Sequence, residues 1–181
     1  MNKSFKYAKD SHITISELML PSHSNFSGKI HGGYILNLMD QIAFACASKH
    51  SRNYCVTASV NKVNFLNPID VGQLVTLKAS VNYTGKTSMV IGVRVESENI
   101  QTGEIKHCNS SYFTMVAKNE QGGNALVPGL ILNTEDSIRR FSRSIKQQEE
   151  ARNRSNAFKR SEFKINDYLS LLEKHNAKIE F

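Results

Sequence analysis

The sequence lacks several features that would assign it to a broad class. It has no run of about 18 apolar residues, so a membrane-spanning helix is not expected. The opening stretch, Met1 to Asp10, is lysine-rich and has no apolar core of the secretory kind, so a secretory signal is not expected either. Cysteine is scarce: Cys46, Cys55 and Cys108 are an odd number without paired metal-ligand spacing. A disulfide framework and a zinc finger both fit such a set poorly, and a reducing, cytoplasmic setting fits it well. The positive excess is modest, +7 over 181 residues. No concentrated basic run carries it, and no aromatic-rich strand motif of the RNA-binding kind accompanies it. Nucleic acid and membrane are therefore not expected partners; a mildly basic surface also suits small polyanions such as nucleotides and phosphates. No internal repeat is visible.

What is present is enough for a core. Hydrophobic residues make up 40% of the chain and charged residues 22%, which suits one folded domain with an appendage. Two regions differ in pattern. Up to about Lys118 the chain alternates apolar and polar residues, with one helical stretch. After Gln121-Gly122-Gly123 the alternation stops, and a loop with Pro128 and Gly129 leads into charged helical sequence. The expected division is residues 11–123 as the domain and residues 124–181 as a loop and helical extension. Within that extension, Ile165, Tyr168, Leu169, Leu172 and Ile179 are spaced for an amphipathic helix. Arg152-Asn153-Arg154-Ser155-Asn156 before it reads as a solvated linker or an exposed helix end.

The helical stretch starts at Gly32-Gly33. Ile35, Leu38, Met39, Ile42, Ala43 and Cys46 repeat with the period of a helix face. Leu36, Phe44, Ala45 and Ala47 fill most of the remaining circumference, which predicts a helix covered on nearly all sides. The strands predicted around it are long. Val75, Leu77, Ala79, Val81 and Tyr83 alternate with polar partners, as do Met89, Ile91, Val93 and Val95, and then Phe113, Met115 and Ala117. An earlier strand is predicted over His12 to Leu20. The run from Cys55 to Leu66 shifts phase, which predicts a bulge near Asn61-Lys62. Thr84-Gly85-Lys86 and Thr102-Gly103-Glu104 read as hairpin turns. Long antiparallel strands with one apolar face each, plus one apolar helix, predict an α+β fold in which the sheet curls around the helix.

The chemistry-bearing residues cluster before and within that helix. Asp40 is a carboxylate among apolar neighbours, which is costly unless it is paired. From the residues alone it fits best a structural Asp bonded to a neighbour or lining a subunit interface. Gly32-Gly33 fits a tight turn, or a helix start whose bare N–H groups receive a carbonyl oxygen. Asn25 fits a turn residue, or an amide that holds a water or a carbonyl. His31 has no Ser or Cys partner in a recognisable arrangement, so fixing the loop or capping the helix is its expected role.

Together these residues resemble a known family. Asn25, then His31-Gly32-Gly33, then Asp40 form the first block. Thr57-Ala58-Ser59-Val60, Asn64-Phe65, Pro68 and Gly72 form the second, and Gly85-Lys86-Thr87-Ser88-Met89 the third. In that order and spacing they are similar to the acyl-CoA thioesterases of the hotdog fold, in particular the single-domain bacterial acyl-CoA hydrolases related to the cytosolic and brain-type enzymes of animals. The resemblance covers roughly Ser11 to Glu120. It extends weakly into Val127-Pro128-Gly129-Leu130, Thr134-Glu135-Asp136 and Arg139-Arg140-Phe141.

The resemblance implies a hotdog fold: a long curved antiparallel sheet wrapped around one central helix, here with a C-terminal helical extension. It implies hydrolysis of acyl-CoA to a free acid and coenzyme A, without a separate cofactor, since coenzyme A belongs to substrate and product. Gly33, with Gly32, would polarise the thioester carbonyl. Asp40 would act as general base on water or attack directly, and Asn25 would orient the water or the thioester. His31, Thr57, Ser59 and Asn64 would line the substrate path. Gly85, Lys86, Thr87 and Ser88 would neighbour phosphates, and Arg139, Arg140 and Arg143 are candidates for the 3′-phosphate. A solvated hairpin and helix face is the other reading of these last groups. The acyl chain would enter a tunnel beside the helix near Phe44, Val63 and Phe65. In the family the Asn and Asp of one site come from different subunits, so the expected assembly is a dimer or a trimer of dimers. The alternatives are a non-catalytic acyl-CoA sensor on the same fold, and an interaction scaffold using the basic tail. The motifs of hotdog dehydratases and hydratases are not found.

Overall fold

In the computed structural model, residues 4–157, 164–167, 169, 175–176 and 178 are described. One compact unit ends at Ser144 and a second begins at Ile145. The elements of the first are β1 (Phe5–Tyr7), β2 (Ile13–Leu18), α1 (Gly32–Ser51), β3 (Tyr54–Val60), β4 (Asn64–Phe65), β5 (Leu74–Thr84), β6 (Ser88–Asn99), β7 (Glu104–Lys118), β8 (Gly129–Ile131) and the opening turns of α2 (Glu135–Ala157).

The main sheet has the order β2-β5-β6-β7-β3, all neighbours antiparallel, with β4 also on β7. Its long middle strands follow from the alternation in their sequences. Val75, Leu77, Ala79 and Val81 of β5 are buried against α1 with Ile91, Val93 and Val95 of β6 and Phe113, Met115 and Ala117 of β7. The alternate residues, such as Lys78 and Arg94, face the other way. Ile35, Leu38, Met39, Ile42, Ala43, Cys46 and Ala47 bring the buried face of α1 onto that surface. Each large side chain so buried contributes about 1.5–3 kcal/mol of transfer free energy. The expected hotdog architecture is therefore present.

Local chemistry sets the ends of α1. His31 is the N-cap, its Nδ1 accepting the Gly33 N–H at 3.2 Å. At the other end Arg52 adopts a left-handed conformation (φ 61°) and returns its N–H to Ser48 O at 2.8 Å. Lys49 in the last turn complements the helix dipole.

Three features differ from expectation. The bulge lies at Ala58, where the β3–β7 register shifts between Thr57 and Ser59; Asn61 to Val63 is instead a break between β3 and β4. Helix α1 is not covered all round within one chain: Gly33, Asn37, Asp40, Gln41 and Phe44 form an exposed stripe, because the sheet closes on the other sides only. A small parallel pair, β1 with β8, joins the N-terminal segment to the stretch before α2.

Helix α2 opens on a reciprocal cap: Ser137 N–H donates to Thr134 Oγ1, and Thr134 N–H to Ser137 Oγ, both at 3.1 Å. Arg152 and Asn153 lie exposed near its C-terminal end. In the second unit Ile165 belongs to a 3-10 turn, Ile165–Asp167. Tyr168, Leu172 and Ile179 of the expected amphipathic helix lie outside the described residues. Among the described residues no helix is long and apolar enough to cross a membrane, and no cluster of three His, Cys, Asp or Glu is placed to hold a metal.

Candidate active site

The exposed stripe of α1 carries Asp40, the carboxylate expected from the sequence to act on the thioester. Asp40 lies two turns along the helix from Gly33, about 10 Å up the axis, on the side that the sheet leaves open. Its carboxylate is not sealed in the core. Thr57 of β3 donates its hydroxyl to Asp40 Oδ1 at 2.6 Å, and the same hydroxyl lies 3.4 Å from Met115 Sδ. The regular β3–β7 register ahead of the Ala58 bulge places Thr57 on this side. Thr57 pairs with Met115, whose side chain faces α1, whereas Ser59 pairs with Thr114, which alternates to the other face. The bulge thus separates Ser59 from Thr57, although the sequence reading placed them together on the substrate path.

Ahead of the helix, residues 25–29 form a tight loop closed by Asn25 N–H to Lys29 O at 2.7 Å and Gly28 N–H to Asn25 O at 3.0 Å. Gly28 adopts φ +76°, which glycine tolerates. The Asn25 side chain organises this loop. Its Oδ1 accepts the Ser27 N–H at 3.0 Å, the Ser27 hydroxyl at 2.7 Å and the Lys29 N–H at 3.2 Å. Two of these donors are backbone amides, so the amide orientation is fixed and Nδ2–H₂ is what Asn25 has left to offer. It is a donor, not an acceptor. A Lys29–Asp70 ion pair and the Ile30 N–H to Ile69 O bond (2.9 Å) hold the loop to the domain. Next to Asn25, Phe26 is fully exposed. Tyr34, one residue past the glycines, stacks on His23 at 3.9 Å and donates its hydroxyl to Glu17, which raises the tyrosine's pKa.

At the helix start the Phe65 ring lies against Gly32, 3.1 Å from where a Cβ would stand, so only glycine fits there without displacement. The Gly33 N–H, expected to be bare, is taken by His31 Nδ1. His31 is the cap anticipated from the sequence, and it covers the amide assigned to the carbonyl.

The remaining expected residues lie elsewhere. Gly85, Lys86, Thr87 and Ser88 form the β5–β6 turn, closed by Gly85 N–H to Ser88 O at 2.8 Å and anchored through Thr87 O to Ala117 N–H at 2.9 Å. Asn64 pairs with Ser110, in the row that continues to Arg94 and Lys78 on the sheet face away from α1. Arg139 and Arg140 of α2 lie over that same face. Both pair with Asp136, and Arg140 also donates to Ser80 Oγ at 3.1 Å. The arginines hold the Asp136 carboxyl below its ordinary range. With Lys78, Arg94, Arg143 and Tyr112 they line a groove of about 620 Å³. A single chain therefore does not bring Asn64, Arg139 and Arg140 to Asp40.

Lys78 and Arg94 belong to none of the sequence motifs. They stand at almost equal distances on either side of the Gly85–Thr87 turn, and that symmetry was the available signal. Glu96 bridges them at 2.7 Å each, and the two cations hold its carboxyl below the usual range.

A family model described as the thioesterase superfamily matches residues 27–104. Protein VdlD of Helicobacter pylori is 44% identical over 137 residues, 76% of this chain and 78% of that protein. An uncharacterized acyl-CoA thioester hydrolase of Bacillus subtilis, YkhA, is 31% identical over 82% of this chain and 87% of its own. Among solved structures, an apo-hexameric acyl-CoA thioesterase superposes with a TM-score of 0.83 at 34% identity, covering 86% of this chain and 99% of that one. An acyl-CoA hydrolase from Staphylococcus aureus, in complex with butyryl coenzyme A, coenzyme A and coenzyme A disulfide, superposes with a TM-score of 0.78 at 26% identity, over 83% of this chain and 92% of that one. Three further structures of that hydrolase replace one Asn, one Asp and one Thr by Ala, at the spacing that Asn25, Asp40 and Thr57 have here.

Proposed function

This chain belongs to the thioesterase superfamily, and from that premise we propose that it hydrolyses acyl-CoA thioesters to a free carboxylic acid and coenzyme A. The carrying observation is the Asp40 carboxylate, aligned by Thr57 on the open stripe of α1 two turns from the Gly32-Gly33 amides. In this reading the thioester carbonyl lies over the helix start, where the Gly33 N–H, with Gly32, stabilises the developing oxyanion. Asp40 takes the proton of a water that attacks the carbonyl carbon. The C–S bond then breaks, and the thiolate of coenzyme A is released and protonated. Asn25 donates through Nδ2 to the thioester or the water. Direct attack by Asp40, through an anhydride that water opens, uses the same residues.

The reaction so written uses side chains, backbone amides and water, with coenzyme A as part of the substrate. Its phosphates would meet Gly85, Lys86, Thr87 and Ser88, and across a subunit boundary Asn64, Arg139 and Arg140. His31, Thr57 and Ser59 border the path of the pantetheine arm. Three free, buried cysteines support a cytoplasmic setting.

The site is proposed to be shared between subunits. Phe44 on the stripe that carries Asp40, Tyr54 and Val60 on the edge strand β3, and Phe26, Phe65 and Leu66 in the segments before α1 and after β3 are exposed. Apolar surface concentrated beside a reactive carboxylate supports burial by a second copy. A homodimer, or a trimer of dimers like the hexameric relative, is the proposed assembly.

Free-thiol release from a panel of acyl-CoA chain lengths tests the reading. The wild-type protein releases coenzyme A and Asp40→Ala does not. Release from no member of the panel, or equal rates for the two proteins, refutes it.

A further inference from the structure

The amide that the proposed mechanism needs is already occupied. Gly33 N–H donates to His31 Nδ1 at 3.2 Å, longer than the usual 2.9–3.0 Å or so. A Cβ built on Gly33 would meet only the His31 ring, Nδ1 at 3.4 Å and Cε1 at 3.7 Å. The backbone of His31 is held by its N–H to His23 O at 2.8 Å and by Tyr34 N–H to its own carbonyl at 2.9 Å. His23 has its own place, stacked on Tyr34. The imidazole alone therefore covers Gly33, and it can leave by side-chain rotation without moving the helix start.

We propose that His31 is a positioning residue that competes with the substrate carbonyl for the Gly33 N–H. This rests on the assignment of Gly33 as the carbonyl's donor. One N–H gives one well-aligned bond, so the thioester oxygen and Nδ1 exclude each other. In the empty site the ring satisfies an otherwise orphan donor at the helix start. When substrate arrives, the carbonyl oxygen takes the amide and the ring swings out. The exchange costs the free enzyme's cap on every turnover, which lowers kcat/KM by the worth of that bond. A neutral hydrogen bond of this kind corresponds to a factor of about two to ten.

The test measures thiol release and thermal stability together. His31→Ala removes both cap and competitor, so kcat/KM rises about two- to tenfold while Tm falls. His31→Asn restores a cap acceptor and with it a competitor for the amide, so Tm recovers and the gain in kcat/KM seen in His31→Ala is lost. A purely structural cap predicts the reverse for His31→Ala, with kcat/KM unchanged or lower as Tm falls; that result in a folded protein overturns the proposal. A second measurement needs no variant. Imidazole ¹⁵N NMR of the wild-type protein, titrated with a ketone analogue of acyl-CoA in which CH₂ replaces sulfur, should show His31 Nδ1 losing its hydrogen bond on binding. An unmoved Nδ1 resonance in the saturated complex also overturns it. Failure of the underlying reading looks different: the wild-type protein then releases no thiol and does not bind the analogue.

Discussion

The Thr57 hydroxyl donates to Asp40 Oδ1 at 2.6 Å and so fixes one oxygen of a carboxylate that lies on the open side of α1. A hydrogen bond to a charged group is worth about 1.5–3 kcal/mol. Thr57→Val is therefore expected to lower kcat/KM roughly ten- to a hundredfold. Asp40→Asn removes the proposed base and should lower kcat by about 10²–10⁴. Asp40 is exposed in the single chain, so its replacement should leave the far-UV circular dichroism and Tm close to wild type. Thiol-release kinetics beside a melting curve check both variants.

Asn25 is proposed to have two separable tasks. Its Oδ1 ties residues 25–29 together, and its Nδ2 is left for a ligand. Asn25→Asp keeps an acceptor for the loop and deletes the donor. The expected result is a folded protein with unchanged Tm and kcat reduced at least tenfold, the worth of one hydrogen bond to a developing charge. Asn25→Ala loses both tasks and should lower Tm as well. If Asn25→Asp hydrolyses acyl-CoA at the wild-type rate, the residue serves the loop alone.

Much of this arrangement was legible in the residues, and the exceptions share a cause. The spacing of Ile35, Leu38, Met39, Ile42 and Cys46 marks the buried face of α1, and the alternation in β5, β6 and β7 marks the sheet, because both patterns are local. His31 as a cap was also readable, since the helix must begin at the glycines. The position of the bulge was not. Ala58 is small and has no preference that marks it, and the phase change in the sequence comes from the break at Asn61–Val63. The β1–β8 pair joins three-residue strands from distant parts of the chain, which no window reveals. The open stripe of α1 reads as core because Phe44 is apolar; the cover proposed for it belongs to another copy. Arg139 and Arg140 show helical sequence and charge, but which sheet face they overlie is set by the path from β7 through β8.

The open stripe makes a prediction about assembly. Phe44 meets Tyr54 edge-on at 5.6 Å, and both remain exposed beside the free edge of β3. Phe44→Glu places a charge where a second copy is proposed to bury apolar surface. Sedimentation velocity should show the wild-type protein as a dimer or larger and the variant shifted to monomer. Activity should fall with the loss of association, because the proposed site takes groups from two chains. A wild-type protein that is monomeric at micromolar concentration and fully active contradicts this.

Stability against acid should depend on His50. The ring is buried at the end of α1, with Nε2 3.0 Å from Pro128 O and Nδ1 without a partner among the described residues. Burial, the largest influence, pushes its pKa below the ordinary 6.5; the Pro128 carbonyl pulls the other way, and Lys6, which donates to His50 O at 2.6 Å, pushes further down. The unfolded chain takes up a proton near the ordinary value, whereas the folded chain resists until lower pH. Between those two values the unfolded state binds more protons, so stability rises with pH. The contribution is complete above about pH 6.5 and is lost as the pH falls through the window beneath it. His12, whose pKa burial also lowers, acts in the same direction. His50→Gln can keep a donor for Pro128 O and cannot titrate. Its Tm should therefore fall less than that of the wild-type protein between pH 7.5 and pH 5, with the remaining slope due in part to His12. Equal acid sensitivity in the two proteins would show that His50 takes up its proton alike in the folded and unfolded chain.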